Sequence, residues 1–241
     1  MPQPEAVFLD FDDTLVDNSV VPASVERACH EIAAALVDDV DAAALLRANT
    51  AAWVSYWPEV ERNCWLGDMD VLDVSREVWR RALLECGRDD PSAVALAYET
   101  HQKIGREMER LFDDVPDFLA SLREAGVATA LVSNSSARSQ MARLEAVGLA
   151  ASFDVVVISG QIGIAKPDGG IFEAALDRLH LTGAGVWHVG DSLSTDVAGS
   201  AAAEIGSVWL NRGRRVRGPG DPRPDVEVAS LHGLLDLLAT A

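Results

Sequence analysis

Five short apolar runs, at residues 6–9, 127–133, 153–159, 186–189 and 205–210, constrain this chain more than anything else in it. They are nearly uninterrupted in Ala, Val, Ile, Leu and Phe, as strands covered on both faces are. Helical patterns separate the last four. Val115, Phe118, Leu119 and Leu122 fall at helical spacing before Gly126, and Met141, Leu144 and Val147 precede Gly148. Ile171, Phe172, Ala175, Leu176 and Leu179 follow Pro167, and Leu231, Leu234, Leu235 and Leu238 form a closing helix. Alternating strand and helix predicts an α/β fold: a doubly wound parallel sheet with helices on both faces.

Between the first strand and Asp113 the pattern changes to helical periodicity alone. Apolar stripes recur at Val25, Cys29, Ile32, Ala33 and Leu36, at Leu45, Leu46 and Trp53, at Val78, Trp79, Leu83 and Cys86, and from Val94 through Ala97, Tyr98, His101, Ile104 and Met108 to Leu111. Four amphipathic helices predict an inserted helical bundle. Rings at helical spacing are ordinarily core. The cluster Trp53, Tyr56, Trp57 and Trp65 is the expected exception, because Pro58 and Gly67 beside it suggest an irregular turn.

With 241 residues, 49% of them hydrophobic, the chain can bury a large core. The net charge of -18 opposes affinity for nucleic acid or anionic membrane. Arg212, Arg214, Arg215 and Arg217 lie among Gly and Pro and read as a solvated loop. Cys29, Cys64 and Cys86 have neither disulfide-framework nor zinc spacing, so reduced, buried thiols are expected. No signal-like segment opens the chain and no apolar run approaches a bilayer-spanning length, which predicts a soluble, cytoplasmic protein.

Polar residues stop the strands in a pattern. Asp10 and Asp12 follow the first, with side chains that can share one side of an extended chain. Two carboxylates held together there repel, and a cation or a shared proton between them relieves this; a hard divalent metal would serve. Ser133 and Asn134 end the second run. Lys166 precedes Pro167, which is expected to open a helix and hold the lysine over the sheet edge. Gly190-Asp191 ends the fourth run, with Asp196 five residues further. Each cluster has an ordinary reading as a helix cap or, for the lysine, an exposed surface residue. Four such clusters at the same strand ends, in order, point instead to one site at the carboxyl edge of the sheet.

In these four motifs the chain resembles the haloacid dehalogenase-like hydrolase superfamily. The resemblance covers residues 5–16 and 114 to about 210 and implies a Rossmann-like catalytic core, residues 1–16 and 114–241, with residues 17–113 as a helical cap. It implies a magnesium-dependent phosphatase hydrolysing a small phosphorylated metabolite through an aspartyl-phosphate, as a monomer or homodimer. By position, Asp10 would be the nucleophile and Asp12 the general acid and base, protonated because its neighbours are acidic. Ser133, Asn134 and Lys166 would bind phosphate, and Thr14 would orient Asp12 or the phosphate. The Asp10 carboxylate, the Asp12 main-chain carbonyl and Asp191 would hold Mg2+, with Asp196 supporting the metal or the lysine. Gly169 departs from the pattern, since relatives commonly carry proline there.

Asp12 discriminates within the superfamily. Halide leaves without a proton, and dehalogenases of this kind usually lack that acid, so carbon–halogen chemistry is disfavoured. A phosphomutase of the same architecture stays open. An FMN or nucleotide phosphatase is a subclass encouraged by the aromatic insert, and a non-catalytic binding module would have lost the acids that this chain keeps.

Overall fold

The computed structural model describes residues 4–36 and 40–239; residues 1–3, 37–39 and 240–241, which fall within the ranges expected for core and cap, lie outside them. The strands are β1 (Ala6–Leu9), β2 (Ala128–Ser133), β3 (Val155–Ile158), β4 (Val186–Gly190), β5 (Gly206–Leu210) and β6 (Val226–Val228). They form one parallel sheet in the order β3-β2-β1-β4-β5-β6, so the α/β fold read from the sequence is the fold adopted. From β1 the chain builds outward through β2 and β3, then crosses back to place β4 on β1's other side. That reversal opens a crevice at the carboxyl end of β1.

Side-chain alternation assigns β1 to both layers. Val7 and Leu9 pack with α5 (Val115–Glu124) and α10 (Leu231–Ala239), through Val115, Phe118, Leu122, Leu231 and Leu234. Ala6 and Phe8 face the other way, onto Ile171, Phe172 and Ala175 of α8 (Gly170–Leu179). Every residue of β1 is buried, which is why its apolar run shows no alternation.

The insertion consists of α1 (Val21–Ala35), α2 (Ala42–Leu66), α3 (Val71–Glu85) and α4 (Pro91–Met108). Asp41, Asp70 and Asp90 start α2, α3 and α4 by accepting main-chain N–H bonds from Ala44, Leu72 and Ala93. The helices bury a core of their own around Ile32, Leu45, Trp79, Leu83, Ala97 and Ile104. Two linkers join them to the sheet and pair with each other: Val16 bridges Leu111, Phe112 N–H donates to Leu15 O (2.9 Å) and Asp17 N–H to Arg110 O (3.0 Å).

At its far end the insertion rests on α6 (Ala137–Ala146) and the short α7 (Ser159–Ile162). Val71 N–H donates to Ser136 Oγ (3.2 Å), and Arg138 pairs with Asp70 and Asp73. Gly67 ends α2 at φ 86°, and a Cβ there would lie 2.3 Å from Gly160 O. Gly160 is equally confined, since its own Cβ would lie 2.7 Å from Ser135 O.

Several expectations change. The third strand is shorter than predicted, because Phe153 precedes it and Ser159 begins α7. β6 carried too short a signal to be read. Pro58 lies inside α2, so Trp53, Tyr56, Trp57 and Trp65 share one helix rather than a turn. Leu111 belongs to the returning linker, not to α4. Pro167 precedes the start of α8 by three residues, and at Gly169 a Cβ would press to 3.1 Å from the main chain of Ala202, which favours glycine there. Cys29 and Cys64 are buried and free; Cys86 is free and half-buried.

Arg212 is not solvated as its loop composition suggests. Its guanidinium donates to both carboxylate oxygens of Asp114 (2.9 and 2.8 Å) and to Thr14 O (2.9 Å), while Asp114 also accepts the Leu231 N–H (2.8 Å). Burial works to raise the Asp114 pKa, but the donors from Arg212 and Leu231 outweigh it, so the net displacement is downward. Its stabilisation is therefore present above the unfolded carboxyl's pKa and is lost as pH falls through the lowered folded value. Asp114→Ala should lower unfolding free energy by about 3 kcal/mol by stranding a largely buried guanidinium, read as a reduced urea midpoint at neutral pH that converges on the parent's at acid pH.

Candidate active site

Four loops at the carboxyl edge of the sheet bring the predicted residues together. Asp10 is the first residue beyond β1, its N–H bonded to Val189 O (3.0 Å), and is 7% exposed. Asn134 follows β2, Lys166 lies between α7 and α8, Asp191 follows β4, and Asp196 belongs to the helical turn Leu193–Val197.

Lys166 is the centre of the arrangement. Its Nζ donates to Asp10 Oδ1 (2.5 Å) and Asp196 Oδ1 (2.7 Å), with the lysine side chain 2% exposed. Asn134 seats it: Lys166 N–H donates to Asn134 Oδ1 (2.8 Å) and Asn134 Nδ2 donates to Lys166 O (2.9 Å). The asparagine amide is thus engaged with the lysine main chain. Asp196 is anchored further by Ser192 N–H (2.9 Å) and by His188 Nε2 (3.0 Å). Gly190 makes room for it, since a Cβ there would fall 2.2 Å from the Asp196 carboxyl carbon.

One ammonium between two buried carboxylates cannot neutralise both. Burial acts to raise the Asp196 pKa, but Lys166 and His188 overcome it and hold that group below the usual carboxylate range. For Asp10, burial dominates over the opposing Lys166 and, with repulsion from Asp196 and Asp12, lifts the pKa to about 8. Asp191 rises to about 6, through burial first and then repulsion from Asp196 and Asp13. Carboxylate oxygens of Asp10, Asp191 and Asp196 lie within 4.8 Å of one another. This hard-oxygen donor set, short of positive charge, suits a divalent cation.

The remaining predicted residues are arranged differently. The Asp12 carboxylate is outside that acidic cluster and meets donors, not acids: Arg143 Nη1 (2.7 Å) and Asn18 Nδ2 (2.9 Å), both on Oδ1. Ser133 is buried at the end of β2 and donates to Gln140 Oε1 (3.3 Å). Thr14 is fully buried, its Oγ1 without a protein partner. Arg143, Asn18 and His188 were missed because nothing in their local sequence marks them.

Above the carboxylates lies a cavity of about 1280 Å³, floored by Asp10, Asp12, Lys166 and Asp191 and roofed by the insertion. Trp53 and Trp57 line it as parallel rings with centroids 5.0 Å apart, alongside Trp65 and Arg106. The chemistry available is a buried carboxylate nucleophile beside a fixed cation, with a second carboxylate in reach of the same space.

A sequence model described as haloacid dehalogenase-like hydrolase matches residues 4–204. The phosphoserine phosphatase of Thermus thermophilus is 37% identical over 158 residues, 64% of this chain and 61% of that protein, so the alignment spans about three fifths of the relative. The glyceraldehyde 3-phosphate phosphatase of Methanopyrus kandleri is 29% identical over 97% of both chains. Among solved structures, the 2-haloacid dehalogenase of Pseudomonas syringae pv. tomato superposes with a TM-score of 0.70 at 26% identity, covering 100% of this chain and 99% of that one.

Lys166→Met should lower unfolding free energy by about 3–5 kcal/mol, because it leaves two buried carboxylates adjacent without their cation. Adding Asp10→Asn should restore part of the loss, measured as urea midpoints in a double-mutant cycle.

Proposed function

The chain belongs to the haloacid dehalogenase-like hydrolase family, and from this premise we propose that it is a magnesium-dependent phosphatase acting on a small phosphate monoester through an aspartyl-phosphate. The observation that carries the reading is the Asp10 carboxylate, buried at a cavity floor with the Lys166 ammonium 2.5 Å away and Asp12 facing the same cavity. Phosphatases among the relatives support it.

In this reading an Asp10 oxygen attacks phosphorus while the bond to the ester oxygen breaks, and that oxygen takes a proton from Asp12. Water then attacks the phosphorus, gives its proton to Asp12 and releases phosphate and the Asp10 carboxylate. Lys166 offsets the charge of the transferring group, and Asn134 keeps that lysine in register. Ser133 would give its hydroxyl to a phosphate oxygen in exchange for its bond to Gln140, whereas Thr14, fully buried and outside the cavity lining, would not reach the phosphate. Asp10 and Asp191, with the main-chain carbonyl of Asp12, would hold Mg2+, and Asp196 would support the site through Lys166. When bound, the ion neutralises charge between nucleophile and phosphate.

Residues 17–113 act as the cap, and their tryptophans contact the leaving group. Free thiols suit a reducing cytoplasm, with the enzyme working there as a monomer or homodimer. A haloacid substrate gains nothing from Asp12, because halide departs unprotonated.

Asp10→Asn should abolish magnesium-stimulated hydrolysis of p-nitrophenyl phosphate while leaving the urea midpoint near the parent's, since Lys166 keeps Asp196. Near-normal turnover would sink the nucleophile assignment. Release of halide from 2-chloropropionate, or phosphate transfer between positions of a bisphosphate, would replace the phosphatase reading. Asp12→Asn should slow alkyl phosphates about 10²-fold or more and aryl phosphates far less, because only a poor leaving group needs the proton.

A further inference from the structure

Arg143 projects from α6 into the junction between sheet and insertion, and all three of its guanidinium nitrogens are engaged. Nη1 donates to Asp12 Oδ1 (2.7 Å), Nη2 to Asn18 Oδ1 (3.2 Å) and Nε to Glu109 Oε1. Its guanidinium carbon lies 4.9 Å from the centre of the Phe11 ring. Asn18 belongs to the linker that leaves the sheet and Glu109 to the one that returns. Asn18 closes the circuit by donating Nδ2 to the same Asp12 oxygen (2.9 Å).

Two donors on Oδ1 make the Asp12 carboxyl asymmetric. Oδ2 has no hydrogen-bond partner among the described residues, and Asp12 lines the cavity. Without Arg143 the single amide donor of Asn18 would be left to hold Oδ1. A planar fork reaching three acceptors fixes direction as well as charge, which a lysine point charge cannot do.

We infer that Arg143 is a positioning residue for proton transfer: by binding Oδ1 it presents Oδ2 of Asp12 to the leaving oxygen, and through Asn18 and Glu109 it ties that orientation to the two linkers of the insertion. This rests on the reading of Asp12 as general acid and base. The role separates Arg143 from the phosphate-binding cation Lys166. Loss of Arg143 misdirects the proton and leaves phosphate affinity intact.

The test measures kcat and KM with magnesium for a series from p-nitrophenyl phosphate to alkyl phosphates, using the parent, Arg143→Gln, Arg143→Lys, Asp12→Asn and the Arg143→Gln/Asp12→Asn double variant. Arg143→Gln should reduce kcat about tenfold or more for alkyl esters, with a much smaller loss for p-nitrophenyl phosphate and unchanged KM. Arg143→Lys should recover part of that loss, and in the Asp12→Asn background Arg143→Gln should add no further dependence on leaving group. A uniform loss across the series, or an undiminished effect in the Asp12→Asn background, would overturn the role of Arg143 in an enzyme whose phosphatase activity stands. A parent that hydrolyses no phosphate ester would overturn the phosphatase reading and this inference together. Urea midpoints separate misfolding from misdirection, and the Lys variant, which keeps the charge, carries the test if the Gln variant unfolds.

Discussion

A single buried ammonium, Lys166 between Asp10 and Asp196, governs how the rest of the molecule is arranged. Three charges removed from water are tolerated only where geometry and further hydrogen bonds compensate their desolvation. The surrounding structure supplies that compensation from separate strands. Asn134 grips the lysine main chain, Ser192 and His188 hold Asp196, and the bare Cα of Gly190 lets that carboxylate approach. Parallel strands in the order found here bring those donors to one edge, so the topology and the charge cluster depend on each other.

The fold and the central acids were legible for the same reason. A strand buried on both faces has almost no freedom in composition, and an Asp or Ser at its end marks the change from layer to edge. That logic located β1, Asp10, Asn134 and Asp191 at strand ends, and the Lys166-Pro167 dipeptide exposed the lysine. It could not reach Arg143, which on α6 reads as one more helix-face arginine, because its three acceptors lie 34, 125 and 131 residues away along the chain. His188 was hidden inside a strand, where a buried imidazole carries no local mark. Arg212 shows the opposite failure: Gly and Pro neighbours suggested solvent, while Asp114 and Thr14 drew it inward from distant parts of the chain. The turn expected beside the Trp53 to Trp65 cluster occurs at Gly67 and not at Pro58, because the apolar contacts of α2 carry the helix past the proline.

The insertion combines independence with attachment. Its core around Trp79 and Ile104 gives it internal cohesion, while paired linkers and the α2–α3 turn fasten it to the sheet at opposite ends of the cavity. The stacked Trp53 and Trp57 rings are therefore carried on a supported helix, a rigid surface of low conformational entropy.

The approach of Gly67 to Gly160, and of Gly160 to Ser135, has a consequence for how this architecture can diversify. Main chain rests on main chain there, so nothing in the contact can be shortened by changing a side chain, and any side chain added at either glycine would act as a wedge. The pair is an end-stop that limits how closely the end of α2 can approach α7 and the loop after β2. The spacing of insertion and sheet at that end is then a property of the backbone, and variation is left to the side chains that line the cavity between them.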